Sequence, residues 1–295
     1  MNRKLTYPIV GAALFACASL SQAQPTAHYV PGTEGLLAAS LPPPGVYLRD
    51  YNLAYYADQV NDTHGNDLHA GVKAFVYANA PRLIWITPVE LPGIGGNLGV
   101  DALVPIEYRW IKGVNEQFGV GDFFFEGTWS RHWSQFDVSA GYGAWVPTGD
   151  SNTETEAGLG YWGHMFTAGA TYYLDPDKKF SFSALGRYEI NTFHHGVRIG
   201  DALTIEGGLG YALNKTVTIG PVGYYQQKIT EDKGNGSTGR DRVAGIGPEV
   251  SANLPWLGGF NASLRYCYEF MAEGASVPPG RLQGHTIALT LTKKF

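Results

Sequence analysis

The stretch FNASLRYCYEF, residues 260–270, places apolar side chains at every second position and mostly small or charged ones between them. Successive side chains of a β-strand point to opposite faces, so this period of two predicts a strand with one apolar and one polar face. A tilted strand needs about ten residues to cross a membrane, which is the length of this stretch. The stretch therefore predicts a membrane-crossing strand.

The same alternation recurs along the chain in twelve segments. They are residues 46–56, 70–80, 97–109, 120–131, 135–146, 161–173, 180–190, 201–213, 216–229, 242–254, 259–271 and 284–295. Long connections follow the odd-numbered segments and short ones follow the even-numbered segments, with residues 81–96 as the exception. This pattern predicts an all-β fold, a single antiparallel up-and-down transmembrane barrel of about 12 strands with short periplasmic turns and longer extracellular loops.

The last strand carries a further signal at its end. Ile287, Leu289 and Leu291 are in phase with the terminal Phe295, although Lys293 interrupts the apolar series. An alternating strand closed by an aromatic residue resembles the assembly signal of outer-membrane barrels, which predicts the barrel assembly machinery as a partner. The alternative is an ordinary edge strand that ends in phenylalanine.

The N-terminus is typical of a secretory signal peptide over residues 1–23. Arg3 and Lys4 precede a short apolar stretch, and small residues precede the expected cleavage after Ala23. The alternative is a lipoprotein signal that would lipidate Cys17. Together with the strand pattern, the signal predicts the outer membrane of a Gram-negative bacterium and contact with its lipid.

The composition excludes several other classes of protein. Charged residues are only 16% of the 295-residue chain, aromatic residues are 13%, and 39 residues are glycine. A chain this apolar is not disordered, and a net charge of -5 does not suit a nucleic-acid binder. Beyond the N-terminus no apolar run reaches the about 18 residues of a membrane helix.

The polar faces of the predicted strands place a set of charged residues in the barrel lumen. They are Asp101, Glu107, Arg109, Glu126, Arg187, Glu189, Glu206, Glu249, Arg265 and Glu269. Such residues can form a filter for solutes, or they can pair across the interior and fill it. Acids outnumber arginines in the set, so a filter would favour cations or neutral solutes.

Residues 24–45 precede the barrel, which is expected over 46–295. The segment is partly apolar, and Pro42, Pro43 and Pro44 stiffen its end. It can fold into the lumen as a plug or remain a periplasmic tail, because both placements suit its composition.

No pattern in the sequence indicates catalysis or a metal site. His64 and His69 lie near aspartates in one loop, and His194 and His195 lie in another, but their spacing is not a known zinc pattern. Ser130, His132 and Ser134 share a strand end, which does not establish a bond between nucleophile and base. We therefore predict no catalytic residue, no metal and no cofactor.

Several motifs resemble those of the meta-pathway phenol-degradation family of outer-membrane β-barrel proteins. They are HYVPGTEG at 28–35 leading to LPPPGVY at 41–47, APRLIWIT at 80–87, VPTGD at 146–150 and the ending LTLTKKF at 289–295. The resemblance implies a passive channel for small hydrophobic or aromatic compounds of the phenol type, and not an enzyme. The alternatives are an outer-membrane hydrolase, a structural or adhesive barrel, and a soluble periplasmic barrel.

Overall fold

The computed structural model describes residues 26–151, 156–234, 239–255, 258–276 and 279–295. Its strands are β1 (Gly45–Asn61), β2 (Ala74–Glu90), β3 (Asn97–Leu103), β4 (Ile106–Ile111), β5 (Asn115–Val120), β6 (Phe123–His132), β7 (Phe136–Val146), β8 (Gly163–Tyr173), β9 (Phe180–Asn191), β10 (Phe193–His194), β11 (Val197–Arg198), β12 (Ala202–Ala212), β13 (Val217–Lys228), β14 (Arg242–Leu254), β15 (Phe260–Glu273), β16 (Ala275–Ser276) and β17 (Pro279–Lys294). No helix among these residues is long and apolar enough to span a membrane. The predicted signal peptide, residues 1–23, lies outside the described residues.

The sheet closes on itself because β1 pairs with both β2 and β17. All pairings are antiparallel, and the wall has twelve positions, since β3 with β4 and β5 with β6 each form one interrupted strand. Pro105, which has no N–H to donate, lies at the first interruption. Gly121, at the second, donates its amide to the Pro105 carbonyl at 2.8 Å and keeps the wall continuous.

The two faces of the wall are inverted relative to a soluble protein. Leu83 and Phe270 on the outside are 57% and 58% exposed, whereas Arg187 and Glu206 on the inside are buried. Apolar side chains form a band around the exterior, with ring pairs such as Phe136–Tyr172 and Phe180–Tyr211 near the periplasmic turns. An apolar exterior with aromatic residues at its edge is that of a barrel that spans a membrane.

The sequence predicted one long periplasmic connection, residues 81–96, and this prediction was wrong. β2 continues to Glu90, which reduces the periplasmic connection to residues 91–96. The alternation was hidden because Ile84 and Ile86, which point inward, are as apolar as Leu83 and Trp85, which point outward. Ile84 and Ile86 pack on Tyr47 inside the barrel.

The predicted long loop at 110–119 was also wrong. β4 and β5 continue as a hairpin, with Ile111 opposite Asn115, and only residues 112–114 connect them. β5 begins with three consecutive polar residues, Asn115, Glu116 and Gln117, so no alternation of apolar and polar residues marks the start of this strand in the sequence.

The chain ends on the exterior surface. Ile287, Leu289 and Phe295 are exposed on the outer face of β17, and Leu291 on the same face is half-buried. The Phe295 amide donates to the Val46 carbonyl at 3.0 Å, which ties the last residue to the first strand.

Candidate functional site in the barrel interior

The ten charged residues predicted to face the lumen all lie in the barrel interior. Nine of them are buried and Arg109 is half-buried. Their contacts are Glu107 with Arg109 (2.7 Å), Glu206 with Arg187, Glu249 with Arg265 (2.8 Å), Asp101 and Glu126 with Arg82 (2.8 Å each), Glu189 with His28 (2.7 Å), and Glu269 with the hydroxyls of Tyr55 (2.8 Å) and Tyr224 (3.2 Å).

Arg82 is an interior residue outside the set predicted from the sequence. It lies beyond the predicted end of its strand, although it is in phase with the inward-facing Ala78 and Ala80, and this phase could have identified it. Its guanidinium contacts both oxygens of Asp101 and one oxygen of Glu126. One cation thus compensates two buried carboxylates.

We expect Arg82→Met to lower the free energy of unfolding by about 3–5 kcal/mol, because it leaves two buried carboxylates without a counter-charge. Arg242→Met is the matched control. Arg242 pairs with Glu273 at 2.7 Å at the exposed rim, where losing the pair costs about 1 kcal/mol or less. Denaturant unfolding in lipid, followed by tryptophan fluorescence, measures both values, and equal losses would contradict the assigned role of Arg82.

Residues 26–44, the inner segment, run along the inside of the barrel. Glutamates from three different strands accept hydrogen bonds from its backbone amides. His28 N donates to Glu189 of β9 (3.0 Å), Gly32 N to Glu206 of β12 (3.0 Å) and Leu36 N to Glu249 of β14 (3.2 Å). The wall therefore provides acceptors for amides that an irregular buried segment would otherwise leave unpaired.

The glycines of the inner segment allow it to approach the wall closely. Gly32 has a φ of 79°, and a Cβ there would lie 2.7 Å from the Tyr224 ring. A Cβ at Gly35 would overlap the Glu249 carboxylate. Leu36 packs beside Gly208 and Gly220, where glycine on the wall makes room for it. Contact between segment and wall thus explains the glycines of the HYVPGTEG motif.

Glu34 adds a charged contact on the opposite wall. Its carboxylate accepts from Arg49 at 3.1 Å and from the Tyr51 hydroxyl at 2.6 Å, both on β1. Burial by itself raises the pKa of Glu34, but Arg49 and the other nearby cations outweigh it and lower the pKa overall. The inner segment is therefore held by ionised groups on both sides of the lumen.

His28 occupies an acidic site near the extracellular end. Its Nδ1 lies 2.7 Å from Glu189 and its Nε2 lies 3.4 Å from Asp122, while its ring stacks on Trp145 and meets Tyr161 edge-on. Burial alone lowers the pKa of His28, but Glu189 and Asp122 outweigh it and raise the pKa to about 9. Asp122 also accepts the amides of Gly149 and Leu159, so this site connects the inner segment to an extracellular loop.

We expect the docking of residues 26–31 to weaken at high pH. A histidine whose pKa rises from 6.5 to about 9 on docking stabilises the docked state fully below pH 6.5, and this stabilisation is lost as the pH rises through about 9. The ion conductance of the wild type in planar bilayers should therefore increase between pH 8 and 10 (roughly one unit either side of that value). His28→Gln should lack this increase, and the same profile in both proteins would contradict the assignment.

The inner segment does not fill the lumen evenly. A cavity of about 260 Å³ remains toward the extracellular end, and a smaller one of about 90 Å³ lies beside it. Leu53, Ala78, Pro105 and Glu107 line both cavities. The glutamates that bind the inner segment lie on β9, β12 and β14. The free space lies along β1, β2 and β4, where inward side chains of β2 such as Ala78 are small, and the larger cavity also reaches β13, β15 and β17.

The histidines considered as metal ligands do not form a metal site in the part of the chain that the structure describes. Among the residues that the structure describes, no three His, Cys, Asp or Glu side chains are placed to hold a metal ion. His69 pairs with Asp67 at 2.9 Å on the surface, and His132 pairs with Asp137 at 2.9 Å. The interior therefore offers cavities and ion pairs as its functional features.

Comparisons with known proteins support the fold. Residues 57–276 match the family model described as "Putative MetA-pathway of phenol degradation". The COG4313 outer membrane channel from Pseudomonas putida F1 superposes with a TM-score of 0.75 at 13% identity, over 90% of this chain and all (100%) of that one. The twelve-stranded antiparallel barrel predicted from the sequence is thereby confirmed.

Two other solved structures are similar at lower scores. They are the β domain of the Bordetella autotransporter BrkA (TM-score 0.47, 12% identity, 85% of this chain and 99% of that one) and the CymD monoaromatic hydrocarbon channel (TM-score 0.41, 9% identity, 85% of this chain and 89% of that one). No curated protein matches the sequence.

Proposed function

The chain belongs to the family described as "Putative MetA-pathway of phenol degradation", and on this premise we propose that it is a passive outer-membrane channel for small hydrophobic or aromatic compounds. Residues 1–23 direct its export. Diffusion down a concentration gradient drives passage, without covalent chemistry and without an enzymatic role for the interior residues.

The observation that carries the proposal is the pair of adjoining cavities between the inner segment and strands β1–β4. Their shared lining includes Leu53, Ala78 and Pro105, which suit an apolar solute. A cavity of about 150 Å³ already admits a benzene ring, so the larger cavity of about 260 Å³ holds one aromatic ring with substituents.

Ion pairing in the interior supports the choice of uncharged solutes. Arg187, Arg265 and Arg82 each pair with a carboxylate on the wall, so none of these three cations is free to attract an anion. Breaking such a pair to admit an ionic solute would leave a buried charge uncompensated, which is costly. The paired residues therefore shape the lumen and discourage ions.

The exterior of the last strand has its own role in assembly. Ile287, Leu289, Leu291 and Phe295 form an apolar row along β17 that the barrel assembly machinery recognises before the barrel closes. Once β17 pairs with β1, the same row contacts lipid.

Transport of labelled phenol into liposomes tests the proposal directly. The liposomes carry lipopolysaccharide in their outer leaflet, because this leaflet slows the passage of hydrophobic solutes through the lipid itself. The full-length protein should accelerate uptake of phenol and toluene, and it should have little effect on glucose. Uptake no faster than in protein-free liposomes would contradict the proposal.

A further inference from the structure

Glu269 differs from the other acidic residues of the interior. Its side chain on β15 is only 3% exposed and lines the larger cavity. Oε2 accepts the Tyr55 hydroxyl and the Gly284 amide, both at 2.8 Å, whereas Oε1 accepts only the Tyr224 hydroxyl, at 3.2 Å, among the described residues.

Its neighbours interact with it electrostatically but do not form a direct ion pair with it. Within the described ranges, Glu269 makes no ion pair with an arginine, lysine or histidine, although Arg281 lines the same cavity. The Arg281 guanidinium instead contacts Asp241 at 2.6 Å and the hydroxyl of Thr26. A buried carboxylate held only by hydroxyls and an amide retains acceptor capacity, because a carboxylate accepts about four hydrogen bonds.

The rest of the cavity is mostly apolar. Leu53, Val76, Ala78 and Leu282 are among its lining residues. Three other carboxylates among the described residues line it, and each pairs with a basic side chain: Glu107 with Arg109, Asp122 with His28 and Asp241 with Arg281. A mostly apolar cavity with one acceptor outside these pairs fixes the orientation of a solute that has an apolar body and one hydrogen-bond donor. The same carboxylate repels a solute that carries a negative charge, since two like charges in a poorly solvated site interact unfavourably.

We propose that Glu269 determines the specificity of the channel by accepting a hydrogen bond from the hydroxyl or amino group of a neutral aromatic solute. This inference rests on the proposed function and names the solute class: compounds that carry a donor, such as phenol and aniline, are preferred to ethers and hydrocarbons of the same shape, and to aromatic carboxylates. Tyr55 and Tyr224 hold the carboxylate toward the cavity.

Binding of matched solutes to the full-length protein in lipid nanodiscs tests the inference. Phenol and its methyl ether anisole differ in the donor, and benzoate adds a negative charge. Equilibrium dialysis, with empty nanodiscs subtracted, should show that the wild type prefers phenol to anisole roughly tenfold, as expected for a hydrogen bond to a charged acceptor. Glu269→Gln should reduce this preference to about twofold and increase binding of benzoate.

Glu273→Gln is the matched control, because Glu273 lies on the same strand but pairs with Arg242 at the rim. It should retain the wild-type preference. Tyr55→Phe is a second variant that removes one protein donor from Glu269, and it should increase the preference for phenol even if Glu269→Gln fails to fold.

The possible results separate the inference from the proposed function. If the protein binds both phenol and anisole, and neither Glu269→Gln nor Tyr55→Phe changes the preference between them, the inference is overturned and the proposed channel function is retained. Binding of neither solute by the folded wild type would overturn both. Binding of benzoate at least as tightly as phenol by the wild type would overturn the inference.

Discussion

Deleting residues 26–40 is expected to raise the single-channel ion conductance on the order of tenfold, because the inner segment occupies most of the lumen of a barrel whose wall does not depend on it. Pro42, Pro43 and Pro44 remain as the link to β1, and β1 keeps its pairing with β2 and β17. Conductance in planar bilayers measures the effect.

The folded state of the deletion variant must be established independently. An intact barrel should keep the shifted mobility on an unheated SDS gel that folded outer-membrane barrels show. Arg187 and Arg265 still face Glu206 and Glu249 after the deletion, and water entering the lumen solvates Glu189 and Arg49. A folded deletion variant with unchanged conductance would contradict the assignment of residues 26–40 as the main obstruction.

Ala78→Trp should reduce the uptake of phenol and toluene roughly tenfold or more, because an indole ring at this position would occupy the cavity space that the solute needs. Ala78 lies on β2 and lines both cavities. Uptake into the lipopolysaccharide-containing liposomes measures the loss.

Ala102→Trp provides the matched control for this variant. Ala102 lies on the adjacent strand β3, opposite Leu83, and its side chain is on the outer face. A tryptophan there should contact lipid and leave uptake unchanged. Equal uptake by Ala78→Trp and the wild type would place the route away from β1–β4.

The interior charges show how far the sequence could predict the site. Alternation along β9 and β12 identified Arg187 and Glu206 as inward-facing, because direction follows from position within a strand. It could not identify their contacts with the inner segment, since Tyr29 and Gly32 belong to a segment without any period. It also missed Arg82, because apolar residues on both faces of β2 concealed the strand.

The contacts between residues around the cavities could not be predicted from the sequence for the same reason. Leu36 and Glu249 are separated by 213 residues along the chain, and Tyr55 and Glu269 by 214. Only closure of the barrel brings such residues together. Glu269 likewise lacks an ion-pair partner within the described part of the chain because Arg281 pairs with Asp241 instead, and no spacing in the sequence indicates that pair.

The sequence by itself determined a twelve-stranded wall and the side chains on its two faces, because the direction of a side chain depends only on the local backbone of its strand. The tertiary structure alone decided where the inner segment lies, which charges pair and where space remains. Those features arise from pairing between the first and last strands and from the packing of one irregular segment against many strands, so they belong to no single stretch of the chain.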